Sequence, residues 1–174
     1  MNFTITTMSS DDLLLTKQLY EQAFPTHERR PWNEQLHLIK TAHFHADSIS
    51  LNGGFIGFIF YWQLYNFVFI EHFAIAENHR GKGTGAAILK TYTDRFSNII
   101  LETEPPETNA DAVRRIQFYE RAGFVLFAET YRQPSYIPGG SFFPMRLMYR
   151  TINDNKLGFE EVKSEIYSRV YGIK

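Results

Sequence analysis

Phe73-Ala74-Ile75-Ala76-Glu77-Asn78-His79-Arg80-Gly81-Lys82-Gly83-Thr84-Gly85 is the stretch that decides how this chain is read. An apolar, strand-like run closes at Ile75, a polar link follows, and glycines then alternate at 81, 83 and 85 as a helical pattern begins at Thr84. Alternate glycines let main-chain N–H groups approach an anion with no Cβ in the way. A helix that starts there adds its unsatisfied first-turn donors and the positive end of its dipole. Arg80 and Lys82 add charge. The pattern predicts a site for a phosphorylated cofactor, since an empty surface turn has no need of this placement between strand and helix.

Gly81, Gly83 and Ala86 also satisfy G-x-G-x-x-G/A, and Glu102 follows by about 20 residues, where a dinucleotide fold carries its ribose-binding acid. Placement argues against that reading. In such a fold the first glycine closes the strand tightly, whereas Ala76 to Arg80 intervene here, and the preceding strands read as antiparallel. No Gly-Lys-Ser/Thr follows the glycines, so a P-loop is excluded.

Upstream, Phe3 and Ile5 alternate with Thr4 and Thr6 in a short first strand, and Ser9-Ser10-Asp11-Asp12 supplies N-cap chemistry for a helix ending near Phe24-Pro25. A shorter helix is expected over Asn33 to Thr41. Three strands come next: His43 to Leu51, then Gly54 to Leu64 after the hairpin signal Asn52-Gly53-Gly54, then Phe67 to Ile75. Downstream the pattern predicts a helix over Thr84 to Phe96, a buried strand within Ser97 to Glu104, and a helix over Asn109 to Ala122 closed by Gly123. Two strands follow, Phe124 to Tyr131 and Phe143 to Arg150. A tail helix carries Val162, Ile166 and Val170 at helical spacing. The expectation is an α/β fold of the α+β type: a mixed, mostly antiparallel central sheet with helices on both faces. It occupies one domain over 1–174, with 155–174 a C-terminal helical extension.

The 174 residues suit one domain, and 44% hydrophobic with 21% charged residues is a globular composition. Sixteen Phe and ten Tyr are enough to build the core or to line a pocket. A net charge of −1 argues against nucleic acid as a partner. The absence of Cys excludes disulfides, thiol nucleophiles and Cys-based zinc sites. No signal-peptide pattern and no long apolar run are present, so the expectation is a cytoplasmic protein that does not engage a membrane. His43 and His45 share a strand face but lack a third ligand at obvious spacing, and no metal is expected.

With Phe73-Ala74-Ile75, then Arg80-Gly81-Lys82-Gly83-Thr84-Gly85, then Phe118-Tyr119-Glu120-Arg121-Ala122-Gly123-Phe124, the chain resembles the GNAT superfamily of acetyltransferases. The loop matches that family's pyrophosphate signature Q/R-x-x-G-x-G/A, the later segment its F-Y-x-x-x-G-F, and the order of elements over 2–150 fits as well. The resemblance implies an acetyl-CoA-dependent N-acetyltransferase, in which an amine attacks the acyl-CoA carbonyl directly. Phe73, Ala74 and Ile75 would pair with the pantetheine arm through their main chain. Arg80, Gly81, Lys82, Gly83, Thr84 and Gly85 would hold the pyrophosphate, and Tyr119 would serve the leaving thiolate. One departure stands out: where many members carry Asn, seven residues before the Tyr, this chain has Ala112. A non-catalytic acyl-CoA-binding domain of the same fold is the alternative.

An amine must lose a proton to react. Glu71, two residues before Phe73, is the candidate base, with Glu102 and Glu104 as second choices. His72 points to the opposite face and reads as a structural histidine. Glu28, Arg29 and Arg30 lie where this family often shapes the acceptor site, or form an ordinary solvated charge run. Tyr61, Trp62 and Tyr65 line an acceptor cleft or belong to the core. The acceptor is a small-molecule or peptide amine, and the tail's apolar stripe packs on the sheet or on a second subunit, which leaves a homodimer open.

Overall fold

Hydrophobic strands and helices build the protein, and a computed structural model describes residues 2–152 and 157–173. Among the described residues, eight strands and five α-helices make a mixed α/β fold whose registered strand pairs are antiparallel. The contacts group into two compact units, Met1–Gln63 with Ile70–Gly85 and Leu64–Phe69 with Ala86–Lys174.

The first unit holds β1 (Phe3–Thr7), α1 (Leu13–Ala23), α2 (Trp32–Leu38), β2 (Phe44–Leu51), β3 (Gly54–Gln63) and most of β4 (Val68–Ile75), with the four strands in sequence order. Asn52 and Gly53 sit at φ of 52° and 82°, as the expected two-residue hairpin turn demands. Ser9 and Asp12 form a reciprocal capping box, so Ser10–Asp12 winds as a 3-10 turn and α1 begins only at Leu13. Phe58 and Phe60 pack edge-on against Tyr20 of α1, which is wholly buried. Between β2 and β3 the register slips: Ile49 faces Gly57 and Ser50 faces Phe55, leaving Ile56 as the extra residue of a bulge. Gly57 is there because β4 comes too close for a side chain. A Cβ at this position would lie 2.4 Å from the carbonyl oxygen of Ala74.

The second unit holds the rest of α3 (Thr84–Arg95), β5 (Asn98–Thr103), α4 (Ala110–Arg121), β6 (Val125–Leu126), β7 (Tyr131–Gln133), β8 (Phe143–Thr151) and α5 (Phe159–Arg169). β8 pairs with β5 on one side and with β6 on the other, and β7 also pairs with β8. The single strand expected over Phe124 to Tyr131 is therefore two. Leu126 faces Met148 and Tyr131 faces Met145, so Phe127 to Thr130 stand against only Leu147 and Arg146 and must arch outward. Phe127 N–H still donates to Leu147 O, and Arg146 Nη2 donates to Phe127 O at 2.6 Å, which anchors the arch. The apolar stripe of α5 is satisfied inside the chain: Val162 and Ile166 are fully buried, and Phe159 packs on Phe127 at 5.5 Å. Residues 155–156 and 174 of the expected extension lie outside the described residues.

Gly57→Ala should lower stability by about 1–3 kcal/mol, because a main-chain oxygen has to yield. The shift of the urea midpoint at unchanged slope measures it.

Candidate active site

In the Arg80–Gly85 loop, Gly81 and Gly83 take φ of +73° and +78°, a region where side chains are strained, and a Cβ at either would meet nothing within 4 Å. The glycines serve main-chain conformation and leave open space over exposed amides, as a backbone cradle for an anion requires. Arg80 Nε donates to Ile75 O at 2.6 Å and Lys82 Nζ to Asn78 O at 3.0 Å, so both cations brace the loop that they flank. Thr84 is buried where α3 begins. Beside the loop a cavity of about 350 Å³ is lined by Gln18 and Gln22 of α1, Phe55, and Ala76 to Arg80.

β4 leads into this loop. Ala74 and Ile75 are buried, while Phe73 is half-buried. Glu71 is half-buried as a residue although its side chain is 0% exposed, so the accessible part is main chain. Its carboxylate is ion-paired to Arg30 Nη1 and accepts from Trp62 Nε1 at 3.1 Å. Burial alone would push the Glu71 carboxyl up. The Arg30 guanidinium, His72 and the hydrogen bonds from Arg30 and Trp62 outweigh that and hold it below the usual carboxylate range.

Arg30 is thus no part of a solvated charge run: it is 7% exposed, its N–H donates to Tyr20 Oη at 2.9 Å, and its guanidinium lies 5.9 Å from the Trp62 ring centre. Arg29 donates to Phe24 O from the same loop. His72, expected to be structural, is buried edge-on against Phe24 and Tyr20 with Nε2 3.0 Å from Glu28 O. Burial pushes its proton affinity down, which Glu71 only partly offsets. Trp62 and Tyr61 are core residues, Tyr65 is exposed, and His45 stacks on the Tyr61 ring at 4.8 Å. Among the described residues no group of three potential metal ligands occurs.

In the second unit Tyr119 is held by the way α4 ends. Gly123 at φ +87° lets its N–H reach Glu120 O and lets Phe124 N–H reach Tyr119 O at 3.1 Å, which is a Schellman closure. The rings of Phe124 and Tyr119 then meet at 5.8 Å. Burial pushes the Tyr119 phenol up, against a smaller opposing effect of Arg115, so it remains protonated at neutral pH. At the other end Asn109 Oδ1 accepts from Ala112 N–H at 2.8 Å, which makes Asn109 the N-cap, and Ala112 is fully buried. Glu104 pairs with Arg115 at 2.9 Å, and Glu102 accepts from the phenols of Tyr131 and Tyr171.

The family description "Acetyltransferase (GNAT) family" matches residues 13–124. The chain belongs to the GNAT acetyltransferase family. It is an acyltransferase, and enzymes of this family generally use acetyl-CoA. Among solved structures, a candidate acetyltransferase of the GNAT family from Bacteroides thetaiotaomicron superposes with a TM-score of 0.87 at 32% identity, covering 98% of this chain and 99% of that one. The ribosomal-protein-S18-alanine N-acetyltransferase of Escherichia coli gives 0.65 at 20% identity (90% and 100% covered), and Ard1 of Thermoplasma volcanium 0.66 at 22% (88% and 100%). These last two share the fold. No curated protein matches by sequence. Among the described residues no helix is long and apolar enough to cross a membrane.

Two consequences follow for this family member. His72 binds protons less readily when folded than at its ordinary value of about 6.5, so between those values the unfolded chain holds more protons. Stability should fall as pH drops from 7 to 5, and His72→Gln should flatten that fall in urea titrations. The depressed Glu71 contributes above the ordinary carboxylate range and is lost only at lower pH. Arg30→Met strands the Glu71 charge and should cost about 3–5 kcal/mol near neutral pH, read from the same unfolding curves.

Proposed function

We propose that this acyltransferase carries an acetyl group from acetyl-CoA to a primary amine of a small molecule or peptide, with 1–174 acting as one acetyltransferase domain. The observation that carries it is the loop: two glycines at positive φ over open space, at the start of α3, one short link after a strand whose main chain is accessible at Glu71. The domain reading is supported by the family match, which runs from the first unit into the second, and by the Bacteroides relative, covered almost end to end.

The amides of Arg80 to Gly85 would hold the pyrophosphate, and the main chain of Phe73, Ala74 and Ile75 would take the pantetheine arm as an added strand. Acetyl-CoA supplies an activated acyl thioester: a C–N bond forms as the C–S bond breaks, the thiolate gains a proton and the amine loses one. Tyr119 is the proposed donor, a role supported by a phenol that burial keeps protonated and that the Schellman closure orients. Glu71 is the proposed acceptor, at a stated cost. A carboxyl held below its ordinary range takes up a proton weakly, so the transfer requires loosening of its Arg30 contact or a water that carries the charge onward. In this reading the enzyme acts where acetyl-CoA is available, and a cytoplasmic location is part of the proposal.

Calorimetry should show acetyl-CoA and CoA binding, no NAD binding, and loss of CoA binding in folded Gly83→Glu, whose side chain covers the amides with a like charge. Unchanged CoA affinity in that variant removes the loop from the site. Tyr119→Phe should lower turnover by roughly 10²–10⁴-fold with acetyl-CoA affinity nearly intact. Full activity in that variant rules out phenol-assisted departure, and full activity of Glu71→Gln with an unaltered acidic limb of the rate profile rules out Glu71 as the acceptor.

A further inference from the structure

Tyr131 and Tyr171 bond Glu102, and Tyr136 and Tyr167 join the cluster at one remove, Tyr136 through the Tyr171 hydroxyl and Tyr167 through the Tyr131 ring while its own hydroxyl donates to Arg132 O. Glu102 lies in β5, Tyr131 in β7, Tyr136 in the loop that follows, and Tyr167 and Tyr171 on and just beyond α5. Tyr131 donates to Glu102 Oε1, and Tyr171 Oη lies 2.9 Å from Oε2 and 3.2 Å from Oε1. The hydroxyls of Tyr136 and Tyr171 are 3.3 Å apart. Ring centres are 5.8 Å apart for Tyr131 and Tyr167 and 5.1 Å for Tyr136 and Tyr171, and Phe142 meets Tyr167 at 5.9 Å.

We propose that Glu102 and the rings of Tyr131, Tyr136, Tyr167 and Tyr171 form a recognition site for a primary ammonium group, which makes the acceptor a cationic amine carrying at least one further charged nitrogen. The proposal rests on the amine-acceptor reading above and deepens it. Aromatic faces attract cations, most strongly where water is partly excluded, and a carboxylate among them supplies both charge and hydrogen-bond acceptors. An ammonium brings three donors, and a carboxylate whose oxygens each accept from a phenol still offers lone pairs to them, whereas a quaternary cation brings no donor at all.

Three further observations favour a ligand site over a purely structural lock on the tail. Tyr136, Tyr167, Tyr171 and Glu102 are half-buried, so the cluster reaches solvent. Burial and then the Glu102 charge push the Tyr131 and Tyr167 phenols up, so at neutral pH these hydroxyls remain neutral while the carboxylate supplies the charge. The neighbouring guanidinium of Arg132 is turned to Phe142 O at 2.7 Å.

The test uses the full chain with ¹³C-labelled tyrosine rings, each resonance assigned from a single Tyr→Phe variant. The probe is 1,4-diaminobutane, with 1-butanol as a neutral control, and CoA affinity is measured by calorimetry on the same samples. The expected result is saturable shifts of the cluster's rings with the diamine and none with butanol. Glu102→Gln should weaken the diamine at least tenfold while keeping the wild-type near-ultraviolet dichroism and CoA affinity. Should Glu102→Gln not fold, Tyr136→Leu takes its place and should weaken the diamine severalfold. Absence of saturable shifts in the wild type, equal affinity in the folded variant, or a lowered thermal midpoint as the sole effect overturns the site. Ring shifts in a wild type that does not bind CoA leave the ammonium site standing and overturn the acetyl-CoA reading instead.

Discussion

A guanidinium and a carboxylate buried together organise the first unit. Neither Arg30 nor Glu71 would be stable there alone, because an isolated charge removed from water costs several kcal/mol. Their pairing therefore fixes two things at once. The loop between α1 and α2 cannot leave β4 without exposing an unpaired charge, and β4 cannot turn Glu71 outward. Tyr20, Trp62 and His72 complete the arrangement by supplying the remaining donors, acceptors and ring edges. The result is a strand whose side chains at 71 and 72 are committed to the interior while its main chain at 71 stays accessible.

That division of labour explains why the glycines cluster as they do. Gly57 lets β3 come close to Ala74, and Gly81 and Gly83 then turn the chain through left-handed conformations over open space. Arg80 and Lys82 hold the turn from behind by donating to Ile75 O and Asn78 O. In the proposed role as a cradle for an anion, such a turn works best if its shape is set beforehand, and these braces set it. In the second unit Gly123 does comparable work at the other helix end, where one left-handed residue both closes α4 and sets the Tyr119 ring against Phe124.

Much of this was legible before any coordinates. The hairpin at Asn52-Gly53, the helix stop at Gly123 and the glycine turn at 81 and 83 were readable because each depends on local chemistry: positive φ and a missing Cβ. The apolar spacing of α4 and α5 likewise announced buried faces, since helical periodicity is a property of neighbours in sequence. Membership of the GNAT family was readable for a related reason, because its signatures are short local motifs that follow one another in order along the chain.

What only the tertiary structure decided involves partners remote in sequence. Arg30 reads as one of several charges in a polar loop, and only its meeting with Glu71, 41 residues away, makes it a buried ion pair. The same meeting lowers the proton affinity of Glu71, which no strand pattern could reveal. The break between β6 and β7 arises from register against β8, and register is a relation between two strands rather than a feature of either. Glu102 met Tyr171, just beyond α5, across 69 residues of chain. Sequence determines propensity and periodicity, which act over a few residues; desolvation and electrostatic pairing act over a few ångströms of space, and only folding says which residues share them.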